Sequence, residues 1–187
     1  MTEPKAFLSA AVRACTPCWF RRFLRHQDGT SAVEFGLVAL PFIALTFAII
    51  ETAIVFFAGQ SLEAGAANAS RLILTGQAQT QNLTASTFKT QVCAQLTSLF
   101  DCTNGIYVDV KNYSTFAAAI NTSPVTNGTL DTSGMTYAPG GPSTIVVMRL
   151  YYQWPIYVSL LNAGISDLNG GKKLLVATAA FRTEPYQ

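Results

Sequence analysis

The chain has 187 residues, of which 50% are hydrophobic and only 12% charged, whereas about 25% charged residues is usual for a soluble domain. That length allows one domain plus a tail or a membrane segment. The net charge of +2 hides a division: residues 1–29 carry +3 and the remainder −1. The basic excess therefore belongs to an N-terminal flank, and a nucleic-acid partner gains no support from the rest.

In chain order, the first segment is a basic leader, residues 1–29. Its Phe7, Leu8, Val12, Trp19, Phe20, Phe23 and Leu24 could lie on a membrane surface. It also holds Cys15-Thr16-Pro17-Cys18. A C-x-x-C pair can be redox-active or half of a zinc site. Here no second pair lies near it and His26 is the single histidine, so the reading without a function is preferred, with lipid attachment a minor alternative.

An apolar run follows from Phe35 to Ala58, broken only by Pro41, Thr46, Glu51 and Thr52. As a helix it is about 36 Å long against a hydrocarbon core of about 30 Å. It exceeds the apolar core of an ordinary secretory signal, although Ala64-Gly65-Ala66-Ala67 could serve as a cleavage site. Positive charge stays in the cytoplasm, which predicts a cytoplasmic leader and an exported remainder. Membrane helix is expected over 30–58, with an amphipathic extension over 59–80.

Beyond Thr80-Gln81-Asn82, Phe88, Val92, Leu96, Leu99 and Phe100 recur at helical spacing and predict a second helix over 84–100. Residues 106–111 alternate apolar and polar as a strand, and residues 114–143 are loop-rich in Ser, Thr, Asn, Gly and Pro. Residues 144–153 predict a second strand that Trp154-Pro155 ends, with a helical turn over 156–163. Residues 172–183 predict a third strand, with Leu175, Ala177, Ala179 and Phe181 on one face. The expected fold is α+β: a transmembrane helix continuing into an amphipathic helix, then a second helix and a small antiparallel sheet over 81–187. Cys93 and Cys102 lie beyond the membrane, where a disulfide is permitted. The bridge would close a ten-residue loop worth roughly 2.5–3 kcal/mol in the chain-entropy model. Two buried thiols are the alternative.

Two carboxylates need an explanation. Glu34 stands at the cytoplasmic edge of the apolar run, four residues after Thr30. There the cost of a charge is small, and a helix N-terminal acid behind the caps Thr30 and Ser31 is the plain reading. If the chain were cut after Gly29, the new α-amino group of Thr30 could pair with a neighbour's Glu34 and set register in a stack of helices. Glu51 lies about 6 Å from the middle of the run and should face another helix or be protonated. Ala44, Ala48 and Thr52 form a small-residue stripe that permits close helix approach. Together these features point to helix–helix assembly.

Gly29-Thr30-Ser31-Ala32-Val33-Glu34-Phe35-Gly36-Leu37-Val38-Ala39-Leu40-Pro41, followed by Ile50-Glu51 and Ala66-Ala67-Asn68-Ala69-Ser70-Arg71, resembles the TadE-like family. These are minor pilins or pseudopilins of the bacterial tight-adherence (Flp-type IVb) pilus system. The Cys93/Cys102 pair and Ala177 to Tyr186 also resemble the exported part of that family. The resemblance implies cleavage by a prepilin peptidase between Gly29 and Thr30, with Glu34 as the assembly carboxylate at the fifth mature position. Phe35 departs from the tyrosine common at its position but stays aromatic. The implied partners are the membrane, other pilins, the prepilin peptidase and the inner-membrane assembly platform with its secretion ATPase. The implied location is the bacterial inner membrane with a periplasmic C-terminal domain, or an extracellular pilus.

An exported enzyme is disfavoured. Beyond the run there is no histidine, no Gly-x-Ser-x-Gly, no phosphate loop, and no metal or cofactor motif. Asp101, Asp109, Asp131, Asp167 and Glu184 show no catalytic spacing. The alternative function is an uncleaved single-pass adaptor or binding protein with a periplasmic domain.

Overall fold

The computed structural model describes residues 29–119, 123–157 and 166–186. The leader with Cys15 and Cys18, and most of the helical turn expected over 156–163, lie outside the described residues. Ile156 and Tyr157, its first two positions, are not helical.

Helix α1 runs from Thr30 to Leu74 and contains Pro41. Contacts divide the chain into two compact units, residues 1–45 and 46–187. In the first unit the described part is the beginning of α1, whose Val33, Phe35, Leu37, Val38, Leu40, Phe42 and Ile43 are exposed. No side chain of α1 is fully buried before Val55.

The second unit holds the rest of α1 and everything after it. From Val55 the helix turns amphipathic: Val55, Ala58, Leu62, Gly65, Ala66, Ala69 and Ile73 are buried at the three- and four-residue steps of one helix face. Small residues on that face let a neighbour come close. An ideal Cβ at Gly65 would sit 2.3 Å from Leu96 Cδ2, so any larger residue there would have to displace that side chain.

The sequence expects this helix to reach residue 80, but it stops at Leu74. Gly76 adopts φ 76°, a left-handed conformation that costs glycine no Cβ clash. A Cβ there would also lie 2.3 Å from the Tyr186 ring. The one-turn helix α2 (Gln77–Thr80) follows. Helix α3 (Ala85–Gln95) opens with a capping box: Thr84 Oγ1 accepts from the Thr87 amide, and Thr87 Oγ1 accepts from the Thr84 amide. It is shorter than the expected 84–100, because Leu96 turns to extended backbone and packs over Gly65. Of the apolar positions that predicted it, Phe88, Val92 and Phe100 are buried, while Leu99 is exposed.

Strands β1 (Ile106–Tyr113), β4 (Ile145–Pro155) and β5 (Lys172–Arg182) form an antiparallel sheet in the order β1-β4-β5. Between β1 and β4 the chain makes a 3-10 turn, Phe116–Ala118, and a small hairpin of β2 (Val125–Thr126) and β3 (Thr129–Leu130). Val146, Met148, Leu150, Tyr152 and Trp154 of β4 join Leu175 and Ala177 of β5 and the α1 face in one hydrophobic core. Ala179 and Phe181 pack on its margin as their alternation predicts. Phe88, Leu62, Ile73, Ile106, Met148 and Leu150 are among its largest fully buried side chains, each worth roughly 1.5–3 kcal/mol on burial. The architecture is α+β, as the sequence expects.

The sheet lies along α1. At one end Glu184 N donates to Leu74 O at 2.9 Å, satisfying a carbonyl of the last helical turn. At the other, just past β4, Tyr157 N donates to Glu51 Oε1. The eleven residues of β4 span about 36 Å. The helix from Glu51 to Leu74 spans about 35 Å, so strand and half-helix match in length.

The Cys93–Cys102 disulfide is formed, with Cα atoms 5.8 Å apart. It ties the end of α3 to the turn before β1.

Candidate functional site

The chemistry-bearing residues fall in two places: along α1 and on the outer face of the sheet. Gly29 is exposed and lies immediately before the first residue of α1. Among the described residues nothing lies within 4 Å of a Cβ built on it. Glu34 is exposed one turn into the helix, on the same face as Thr30 by the i, i+4 relation.

Further along, Ala44 and Ala48 are half-buried, and Thr52 Oγ1 donates to Ala48 O at 2.8 Å. That bond satisfies the hydroxyl within the helix, which removes the cost of bringing it into lipid. Sequence reasoning expects Glu51 to face another helix or be protonated. The structure gives it a partner inside the chain, the backbone N–H of Tyr157. That amide lies two residues beyond β4, and Ile156 N makes the preceding bond, to Gly171 O at 2.9 Å.

The outer face of the sheet carries a cluster that sequence reasoning missed. Asp109 (3% exposed) and Arg149 (6% exposed) are directly opposite in the β1–β4 register. Asp109 Oδ2 lies 3.3 Å from Lys111 Nζ and 3.9 Å from Arg149 Nη1, and Asp109 Oδ1 accepts from Thr136 N at 2.9 Å. Asp109, Lys111 and Arg149 border a cavity of about 470 Å³ with Tyr113, Tyr151 and Asp131. Burial pushes the Tyr151 hydroxyl above its ordinary range, and hydrogen bonds from Ser133 hold Asp131 below the usual carboxylate range. The two acids balance the two cations, so the cavity has little net charge. The signal in the sequence was a charged pair inside two apolar strands, legible only once the register is known. Among the described residues no group of three or more His, Cys, Asp or Glu side chains could hold a metal ion.

Among the described residues one helix, α1, is long and apolar enough to cross a membrane, and with the α+β head this fits the class of membrane-anchored proteins. Residues 29–71, from the exposed glycine to the last turns of α1, match the family model described as TadE-like protein. Comparison with curated proteins and with solved structures gave no match.

Proposed function

We propose that this chain is a minor pilin or pseudopilin that acts in assembly of a tight-adherence (Flp) pilus, processed by a prepilin peptidase between Gly29 and Thr30. One coincidence carries the reading: the TadE-like match begins at Gly29, α1 begins at Thr30, and the exposed carboxylate of Glu34 follows one turn later. A cut at that bond would leave a helix whose first residue bears an α-ammonium group. In a bundle of such helices, the amine of one subunit pairs with Glu34 of the next, and the low dielectric strengthens the pair. Ala44, Ala48 and Thr52 would let the helices approach closely. The role is structural rather than catalytic. The partners are other pilins, the peptidase and the inner-membrane assembly platform. The leader would stay in the cytoplasm and the head would occupy the periplasm or the fibre.

Glu34→Ala tests the assembly role. The variant should be processed and membrane-inserted like the parent, while pilus assembly falls by about tenfold or more, the loss expected when a charge-assisted contact of 1.5–3 kcal/mol disappears. Assembly at the parental level would remove Glu34 from the mechanism.

A further inference from the structure

Strand β1 is an edge of the sheet, and only part of its outer side is closed. Val110 N donates to Thr136 O at 2.7 Å, and Ala138 N donates to Val110 O at 2.8 Å. Val110 therefore turns both backbone groups away from β4. Hydrogen bonding alternates residue by residue along an antiparallel pair, so Val108 and Ile106 turn theirs the same way. Neither of these two makes a backbone hydrogen bond on that side among the described residues. Two N–H and two C=O groups are left as an open edge about 7 Å long.

A cavity of about 330 Å³ lies against that edge. Helix α3 bounds it through Ser86 and Lys89, and the segment after the β2–β3 hairpin bounds it through Thr132, Met135 and Tyr137. A second cavity of the same volume reaches the Cys93–Cys102 disulfide and shares Ser86 and Lys89 with the first. Together they make one groove along α3, built wholly within the second unit. An open edge so short, with walls beside it, does not admit the flat edge of another sheet. What fits is a single extended chain.

The side chains say what that chain should carry. Lys89 is the one charged residue lining either cavity. Its Nζ donates to Thr103 O at 3.1 Å, and among the described residues no carboxylate pairs with it. Asp101, on the neighbouring turn, accepts instead from the amides of Thr103 and Asn104 at 3.0 and 3.4 Å. The Tyr137 hydroxyl is buried with no hydrogen-bond partner among the described residues, and burial pushes it above its ordinary range, so it stays a donor. Val108, Met135 and the Tyr137 ring supply apolar surface. Open backbone groups call for a backbone, the ammonium for an acid, and the apolar wall for an apolar side chain.

We propose that this groove takes an extended segment of a partner protein, added to the edge of β1 at Ile106 and Val108, with an apolar side chain against Met135 and Tyr137 and an aspartate or glutamate on Lys89. Main-chain bonds supply affinity, and the two side-chain contacts select the partner. A lipid headgroup or a small anion on Lys89 would leave the edge groups unpaired. The site does not depend on cleavage at Gly29–Thr30, so either reading can fail without the other.

The test uses the full chain in lipid nanodiscs. A phage-displayed library of random dodecapeptides is panned on it, with an excess of the Lys89→Glu chain as competitor. Enriched peptides should carry an acid beside β-branched or aromatic residues, and the strongest of them, made synthetically, is the probe. It should move the amide proton resonances of Ile106 and Val108 downfield as hydrogen bonds form there. The Val110 amide, already bonded to Thr136, should hardly move. Lys89→Met keeps the aliphatic stem and should weaken the probe by at least about threefold. Exchanging the probe's acid for its amide should do the same with the protein unchanged, and methylating its backbone nitrogens should abolish binding. The proposal is overturned if no peptide is enriched against the Lys89→Glu competitor. It is equally overturned if the probe binds without moving Ile106 and Val108, the sign of another surface, or if the acid-to-amide exchange leaves its affinity unchanged.

Discussion

Replacing Asp109 by alanine is expected to lower the stability of the head by about 3 kcal/mol, read by denaturant unfolding in detergent with Trp154 fluorescence as the probe. The cost has two sources. Thr136 N–H loses its acceptor at 2.9 Å, and Arg149, itself buried, loses a carboxylate. Removing one member of a buried pair costs 3–5 kcal/mol because the other charge stays behind. The lower end applies here, since the Arg149 contact is long at 3.9 Å and the nearer cation, Lys111, is about a third exposed. Asp109→Asn should fall between parent and alanine, keeping an acceptor for Thr136 without the charge. The double variant Asp109→Ala/Arg149→Met should recover much of the loss, because no buried charge is then left without its partner, and Lys111, about a third exposed, can turn to solvent. A double variant as unstable as the two single losses added together would mean that the two residues act independently.

Leu62→Ala should destabilise the head by about 2–5 kcal/mol, the range for a leucine removed from a core that cannot collapse. Leu62 is 0% exposed and meets the sheet through the buried face of α1. Phe57→Ala, five residues earlier on the same helix but on an exposed position, should leave the unfolding midpoint in detergent within about 0.5 kcal/mol of the parent. The contrast separates two roles of one helix: residues 55–73 belong to the core of the head, and the exposed aromatic positions beside them do not. Equal effects at both sites would contradict the packing described here.

Much of this was legible in the sequence because it is written in local periodicity. The alternation Leu175, Ala177, Ala179, Phe181 fixed which face of β5 turns inward, and the apolar run with its small, spaced residues announced a long helix. The features that escaped are those made by distant partners. Glu51 meets an amide 106 positions away, and nothing near Glu51 in the chain points to Tyr157. Asp109 and Arg149 become a pair only when β1 and β4 align, across a segment of loop and hairpin. The end of α1 was missed for a different reason: Gly76 inside an Ala-, Gln- and Ser-rich stretch looks tolerable in a helix until the Tyr186 ring is seen occupying the space of its absent Cβ. Glu34 and Gly29 are the converse case. Their geometry is simple and exposed, and their meaning comes from the order of basic flank, glycine, carboxylate and apolar helix.

The explanation of Glu51 has consequences for assembly. In the assembly proposed above, a Glu51 side chain already bonded to the chain's own backbone has less to offer a neighbouring helix, and intersubunit pairing would fall mainly to Glu34 and to Ala44, Ala48 and Thr52. That division depends on a free amine at Thr30. The most direct measurement is the mass of the N-terminal peptide of the chain extracted from the membrane of cells that carry a prepilin peptidase. Processing predicts a peptide beginning at Thr30, with residues 1–29 gone; an N-terminus upstream of Gly29 on the mature protein would contradict the account.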